Sequence, residues 1–160
     1  IMIYGRDAHG RALKYIRRDY VSNVRSLDKF KIVYAKADGA AGTLGNPIPA
    51  RVLGNPVIQG PGIGTTESFL TVGLFETSVE AENALKYART KLFRALVGIL
   101  KTTQDINPEK FSYVPLQDFS SNSDIDWSQS VADIDRQLYT KYGLDDNEIA
   151  FIESHVKEMN

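Results

Sequence analysis

The chain contains no cysteine and only two histidines among its 160 residues. Without cysteine it can form no disulfide, no zinc–cysteine site and no thiol nucleophile. His9 and His155 stand at opposite ends of the sequence, and neither belongs to a spacing that binds metal. We therefore expect no metal site, and nothing favours either histidine as part of a catalytic triad.

Long apolar runs are also missing. No run approaches the roughly 18 residues of a membrane span, and the opening IMIYGRDAHG has too few apolar residues for a signal peptide. Hydrophobic residues make up 42% of the chain and charged residues 24%, which is usual for a globular domain. We predict one domain spanning residues 1–160 that does not contact a membrane. The opening in mid-strand predicts a piece excised from a longer chain, and the resemblance given below implies the C-terminus of that chain.

The net charge of −1 conceals an uneven distribution. Residues 1–101 hold 15 lysines and arginines against 8 acidic residues, a net of +7. Residues 102–160 hold 4 against 12, a net of −8. Either the basic part contacts a polyanion, or the two parts neutralise each other inside the fold.

The first hundred residues have the pattern of a β-rich unit. Residues 1–4 and 12–16 favour strands and flank the turn signal DAHG, which predicts a hairpin. Residues 31–36 and 68–75 predict two further strands. Residues 38–56, rich in glycine and proline, predict a loop with at most a short strand at 50–53.

The hydrophobic period then changes to that of a helix. Thr77 and Glu80 form a T-x-x-E capping box. From Ser78 to about Lys101, apolar residues recur at three- and four-residue steps, namely Leu85, Ala88, Leu92, Leu96 and Ile99. The pattern predicts one long amphipathic helix whose opposite face is cationic and is either solvated or in contact with phosphate. This face consists of Lys86, Thr90, Arg94 and Lys101. Residues 101–104 then form an exit tetrad of Lys101, Thr102, Thr103 and Gln104.

An aromatic strand at 111–114 and two C-terminal helices complete the prediction. One helix covers about 131–142 with Gly143 as its C-terminal cap, and the other begins at the capping box of Asp145 and Glu148. The predicted fold is therefore α+β, with a β-rich N-terminal half, a long central amphipathic helix and a helical C-terminal tail.

Several sequence motifs of catalytic sites are absent or incomplete. The glycine-rich segment at 59–66, QGPGIGTT, is followed by a strand and lacks Gly-Lys-Ser/Thr, so it predicts a tight turn between strands. No G-x-S-x-G or D/E-x-K element occurs. The tail aspartates Asp124, Asp126, Asp133 and Asp135 are interpreted as solvated loop and helix-start acids. We expect this chain to be non-catalytic.

Four blocks in order carry a family resemblance. They are KIVYAKADGAAG, PGIGTTESFLTVGLFETSVEAENALKY, KYARTKLFRALVGILKTTQ with FSYVPLQDF, and LYTKYGLDDNEIAFIESHVKEM. From about Lys31 onward the chain resembles the C-terminal region of bacterial type II restriction–modification proteins, which are adenine-specific DNA methyltransferases, some of them fused to an endonuclease.

The resemblance implies a DNA target-recognition domain. In that family the methyltransferase portion, with its S-adenosylmethionine loop and N-P-P-Y motif, precedes this region, and this chain carries neither. The implied partners are double-stranded DNA and the upstream methyltransferase domain of the same chain, which would flip and methylate an adenine. The resemblance implies no cofactor for this fragment and S-adenosylmethionine as the cofactor of the parent protein. It implies a cytoplasmic location for both.

Candidate DNA contacts divide into positioning and reading groups. Basic side chains suit phosphates, and arginine, glutamine, threonine and glutamate suit base edges. The predicted phosphate contacts are Arg17, Arg18, Lys36, Arg94 and Lys101, and the predicted base contacts are Arg51, Thr65, Thr66, Glu67, Thr103 and Gln104, with Thr102 included through the exit tetrad. The 38–56 loop is expected to lie along a groove.

Two other functions stay open. The chain could be a protein-interaction or structural module that docks on the methyltransferase core without reading bases. A weaker alternative is a small ligand-binding enzyme that uses the glycines at 60–64.

Overall fold

The structure, a computed structural model, describes residues 1–22, 24–37 and 44–159. Strands occupy the N-terminal half and helices follow, which confirms the predicted α+β class. The strands are β1 (Met2–Asp7), β2 (Gly10–Tyr15), β3 (Phe30–Ala35), β4 (Val57–Gln59), β5 (Ile63–Thr65) and β6 (Phe69–Phe75). The helices are α1 (Ser78–Arg89), α2 (Lys91–Leu100), α3 (Val131–Tyr142) and α4 (Asp146–His155).

The first sheet, called the small sheet below, has the strand order β2-β1-β5. β1 and β2 form the predicted hairpin, with Asp7 opposite Gly10 and two residues in the turn. The Asp7 carboxylate accepts the backbone N–H of His9 at 2.9 Å, and Gly10 has φ of +123°, a conformation that favours glycine. β5 runs parallel to β1.

The second sheet, of order β4-β3-β6, is antiparallel and packs against the helices. Its central strand is almost wholly buried, including Ile32 and Tyr34. The main core joins this sheet to all four helices, and among the described residues it takes none from the small sheet. The small sheet therefore lies outside the main core.

The predicted long helix is in fact two helices that meet at Thr90. This residue is extended (φ −62°, ψ 151°), and its hydroxyl accepts the N–H of Phe93 at 3.2 Å and donates to the carbonyl of Tyr87 at 2.7 Å. Thr90 thus ends α1 and caps α2. The capping box of Thr77 and Glu80 at the start of α1 is confirmed.

The two segments predicted to be irregular or short have different outcomes. The predicted loop is confirmed over its described residues: 44–56 contain no strand, although Ala50 makes an isolated parallel bridge to Val156 and Ala50, Val52 and Leu53 are buried; residues 38–43 of the predicted loop lie outside the described residues. The predicted aromatic strand is wrong. The aromatic segment forms a 3-10 turn (Pro108–Phe111) instead of a strand. Both segments pack into the core, and this packing depends on distant partners.

The C-terminal helices agree with the prediction. α3 ends at Gly143, which is left-handed (φ 64°, ψ 35°), and α4 starts from the capping box of Asp145 and Glu148. Within the described residues, no helix has the length and apolar character to cross a membrane.

Candidate nucleic-acid interface

The cationic face expected on the central helix is not exposed, and that prediction is wrong. Arg94 and Lys101 are 1% and 2% exposed, and Thr90 is fully buried. The half-buried Lys86 donates to the carbonyls of Trp127, at 2.6 Å, and Gln129. The extended residue at 90 breaks the 100° progression, so α2 turns its basic side chain inward, toward α3 and α4.

Arg94 links two segments inside the fold. Its guanidinium donates to the carbonyls of Arg89, Thr90 and Lys157, which joins the end of α1 to the segment after α4. Burial lowers the pKa of Arg94, and the nearby Asp135 carboxylate acts in the opposite direction. A guanidinium held in this way does not reach a phosphate on the surface.

Asp135 is also buried, which corrects its interpretation as a solvated acid. It accepts the backbone N–H groups of Lys91 at 2.8 Å and Leu92 at 3.0 Å, at the N-terminus of α2. Burial raises the pKa of Asp135 to about 6, against the lowering effect of these two hydrogen bonds. A cleft of about 520 Å³ opens beside it, lined on its charged side by Arg89, Lys91, Glu153 and Glu158. The sequence held a signal for this burial, since Asp135 lies among Ile134, Leu138 and Tyr139 on the buried face of α3.

The small sheet presents an exposed basic face that sequence reasoning missed. Arg6 and Arg11 are directly opposite each other on β1 and β2, so both side chains point to the same face of the sheet. Both are exposed, and within the described residues neither has a hydrogen bond or an ion pair. The two-residue turn sets the register that places Arg6 opposite Arg11. The turn signal DAHG was the sequence feature from which this pairing could have been predicted.

The segment after β2 continues this surface. Arg17 and Arg18 are exposed, as predicted for phosphate contacts, although Arg17 already pairs with Asp19 (2.6 Å) and Arg18 donates to the carbonyl of Val21 (2.6 Å). Tyr15 and Tyr20, which flank them, are 89% and 72% exposed. Residues 11–25 hold five arginines and lysines against one acid.

A second group of candidates converges at the junction of the two sheets. Thr66, after β5, donates its backbone N–H to the carbonyl of Tyr4 at 3.1 Å, and Lys36, after β3, donates to Ser68 at 3.0 Å. The carbonyl of Lys36 accepts the backbone N–H of Ile106 at 3.0 Å, which brings the chain two residues beyond the exit tetrad to the same place. We call the exposed candidates of these three segments the polar junction: they are Lys36, Thr66, Glu67, Thr102, Thr103 and Gln104, while Thr65 is half-buried.

The remaining candidate, Arg51, is exposed elsewhere. It lines a shallow cleft with Asn55, Lys157 and Glu158, near the end of α4. This cleft shares none of its lining residues with the polar junction.

The ion pairs show how far the basic and acidic parts of the sequence neutralise each other. Lys14 pairs with Asp7 and Lys29 with Glu76 inside the basic part of the sequence, whereas Lys141 pairs with Asp124 inside the acidic part. Lys91–Glu153 joins the two parts. The one named pair within the small sheet is Lys14–Asp7, and it leaves the charges of Arg6 and Arg11 in place.

No protein-family model, curated protein or solved structure matches the chain. Among the described residues, no group of three or more His, Cys, Asp or Glu side chains could hold a metal ion.

Proposed function

We propose that this chain is a non-catalytic domain that holds and reads duplex DNA. The observation that carries the proposal is the exposed pair Arg6 and Arg11, two like charges set side by side with no acid between them. Like charges directly opposite on a sheet are destabilising, and phosphate groups would relieve the repulsion. Each neutralised phosphate also releases condensed counterions, which drives binding at low salt.

The shape of the surface supports a duplex as the ligand. A two-stranded β-ribbon fits the major groove of B-DNA, and the hairpin of β1 and β2 lies outside the main core, with β2 at the edge of its sheet. Arg17, Arg18 and Arg25 extend the basic surface beyond the strands. These cations would position the backbone, while the groove-facing groups would carry specificity.

The polar junction supplies groups of the kind that read bases. Glutamine suits the edge of adenine and glutamate accepts from cytosine, and both Gln104 and Glu67 are exposed there. Lys36, which is also exposed, would contact a phosphate. Base reading by the junction rests on this convergence, since Thr66, Lys36 and the exit tetrad come from three distant parts of the sequence.

The family resemblance supplies the larger setting of the proposal. The domain would serve an upstream N6-adenine methyltransferase of the same chain, which binds S-adenosylmethionine and, in some relatives, is joined to an endonuclease. Such a type II restriction–modification protein would act in the bacterial cytoplasm. The buried Arg94 and Lys101 are not part of the proposed DNA surface.

Binding of a labelled duplex at two salt concentrations tests the function. Affinity should be measurable at about 50 mM salt and fall steeply by about 200 mM, because the counterions released by several phosphate contacts gain less free energy as the salt concentration rises. Replacing both Arg6 and Arg11 with glutamate should abolish binding, whereas the same charge change at Arg136 and Lys157, which are exposed in the helical part, should have little effect. A folded protein that binds no duplex at the lower salt would refute the proposal.

One observation favours the second candidate, a module that docks on a protein partner. Leu116 is 94% exposed and Tyr113 57% exposed, both between the 3-10 turn at 108–111 and α3. Apolar groups of this kind are typical of protein interfaces when they cluster. Replacing Leu116 with serine should weaken binding to the methyltransferase domain and leave DNA binding unchanged.

A further inference from the structure

Two tyrosines stand out on the proposed DNA surface. Tyr15 ends β2 and Tyr20 ends the following 3-10 turn (Arg18–Tyr20), with 89% and 72% of their surfaces exposed. Large aromatic side chains usually bury most of their area. Within the described residues, neither ring packs against another ring, and the Tyr20 ring has a cation beside it, since the guanidinium carbon of Arg17 lies 5.5 Å from the centre of this ring.

The arrangement differs from a surface built for phosphates alone. Tyr15 lies on the same face of the small sheet as Arg11, because the two are four residues apart along β2. At about 3.3 Å per residue this separation is about 13 Å, roughly four nucleotide steps of one strand. Arg17 and Arg18 stand between the tyrosines in sequence. Aromatic rings interleaved with cations in this way are typical of surfaces that track a nucleic-acid backbone and stack exposed bases.

A paired duplex offers these rings little to stack on, since its bases are already stacked on each other. An unpaired nucleotide has a free aromatic face, and stacking of a base on a protein ring is worth a several-fold gain in affinity. Arg17, held by Asp19 at 2.6 Å and 3.1 Å, would support Tyr20 from over one face of its ring as a second planar group.

We propose that Tyr15 and Tyr20 form a stacking surface for unpaired bases, so that the domain prefers DNA with locally unpaired nucleotides to a fully paired duplex. This inference rests on the proposed DNA-binding function. The ligand class is a polynucleotide that combines a phosphate backbone for Arg6 and Arg11 with at least one accessible base.

The test compares three labelled DNAs at about 50 mM salt: a paired duplex, the same duplex with a central two-nucleotide bulge, and one of its strands. Wild-type protein should bind the bulged duplex and the single strand about fivefold or more tightly than the paired duplex. The double variant Tyr15→Ala, Tyr20→Ala should lose this preference and keep its affinity for the paired duplex within about twofold. Tyr113→Ala, at an exposed tyrosine of the helical part, is the matched control and should behave as wild type.

Other outcomes overturn the inference in distinguishable ways. Equal affinity for the three DNAs, or a preference that survives in the double variant, removes the stacking role and leaves DNA binding in place. Failure to bind any of the three removes the proposed function as well. A wild-type dimer that Tyr15→Ala converts to a monomer assigns this surface to a second copy of the chain and also overturns the inference. Circular dichroism on each variant checks that the fold is retained.

Discussion

Arg6 and Arg11 are direct cross-strand neighbours on one face of the small sheet, and no acidic residue pairs with either of them within the described part of the chain. A sheet that only needed to be stable would place opposite charges at these positions. The pair therefore supports the proposed polyanionic ligand, and the repulsion between the two charges makes the hairpin less stable.

Replacing Arg11 with glutamate should raise stability while it lowers DNA affinity. The introduced carboxylate would face Arg6 and turn a repulsion into an attraction, a gain of about a few tenths of a kcal/mol in the free energy of unfolding. Urea unfolding and duplex titration of the same variant measure both effects. Lys157→Glu, an equal charge change in the helical part, is the control for affinity. A variant that loses stability, or that binds DNA as wild type does, would contradict this explanation.

The buried Asp135 predicts an unusual pH dependence. Its folded-state pKa of about 6 lies above the ordinary value of 3.8, so the folded chain holds the proton more tightly than the unfolded chain. Its contribution to stability is full below about pH 4 and is lost as the pH rises through about 6. Relative to Asp135→Asn, the wild type should lose roughly 2–3 kcal/mol of unfolding free energy between pH 4 and 7.

Urea unfolding of both proteins at intervals across this range provides the measurement. Asp124→Asn is the control, because a hydrogen bond from Lys141 lowers the pKa of Asp124 and confines its own contribution to lower pH. Its difference from wild type should stay constant between about pH 5 and 7. A constant difference for Asp135→Asn as well would show that this carboxylate is not held in the way described.

Arg94 should matter for stability rather than for DNA contact. Arg94→Leu removes the guanidinium that donates to the carbonyls of Arg89 and Lys157, while the Thr90 carbonyl keeps the backbone N–H of residue 94, and each buried unsatisfied acceptor is costly. The free energy of unfolding should fall by roughly 3 kcal/mol or more. Arg136→Leu, at an exposed arginine of α3, should change it little. Wild-type stability in Arg94→Leu would mean that the guanidinium does not hold these segments together.

The junction between α1 and α2 depends on the Thr90 hydroxyl. Thr90→Ala removes both the cap on Phe93 and the bond to Tyr87, and should cost about 1 kcal/mol of stability. Thr140→Ala removes a hydroxyl that bonds to the carbonyl one turn earlier, at an exposed site in α3, and should cost much less. Thermal unfolding of the two variants measures both losses of stability. Equal losses would contradict the role given to the Thr90 hydroxyl.

Local signals predicted much of this fold from the sequence. The capping boxes at Thr77 and Asp145, the left-handed Gly143 and the first hairpin depend on residues within a few positions of each other, and all are confirmed. The break at Thr90 was not predicted, because the apolar residues keep the helical period on both sides of it. A single extended residue changes the direction of the helix without leaving a mark on that period.

The candidate site was harder to predict because it depends on pairing between distant segments. The burial of Arg94 follows from carbonyls as far away as Lys157, which no local pattern reveals. The convergence of Lys36, Thr66 and the exit tetrad likewise depends on contacts between separate strands. The pair of Arg6 and Arg11 is different, since the two-residue turn alone would have placed them side by side.

The salt dependence of duplex binding, compared between the wild type and the double variant Arg6→Ala, Arg11→Ala, tests the central claim most directly. Each lost phosphate contact lowers the slope of log affinity against log salt by about 0.9. If both arginines contact phosphates, the slope of the variant should be smaller by about 1.8, with weaker binding at every salt concentration. An unchanged slope would contradict the account, because it would mean that DNA binds without this pair.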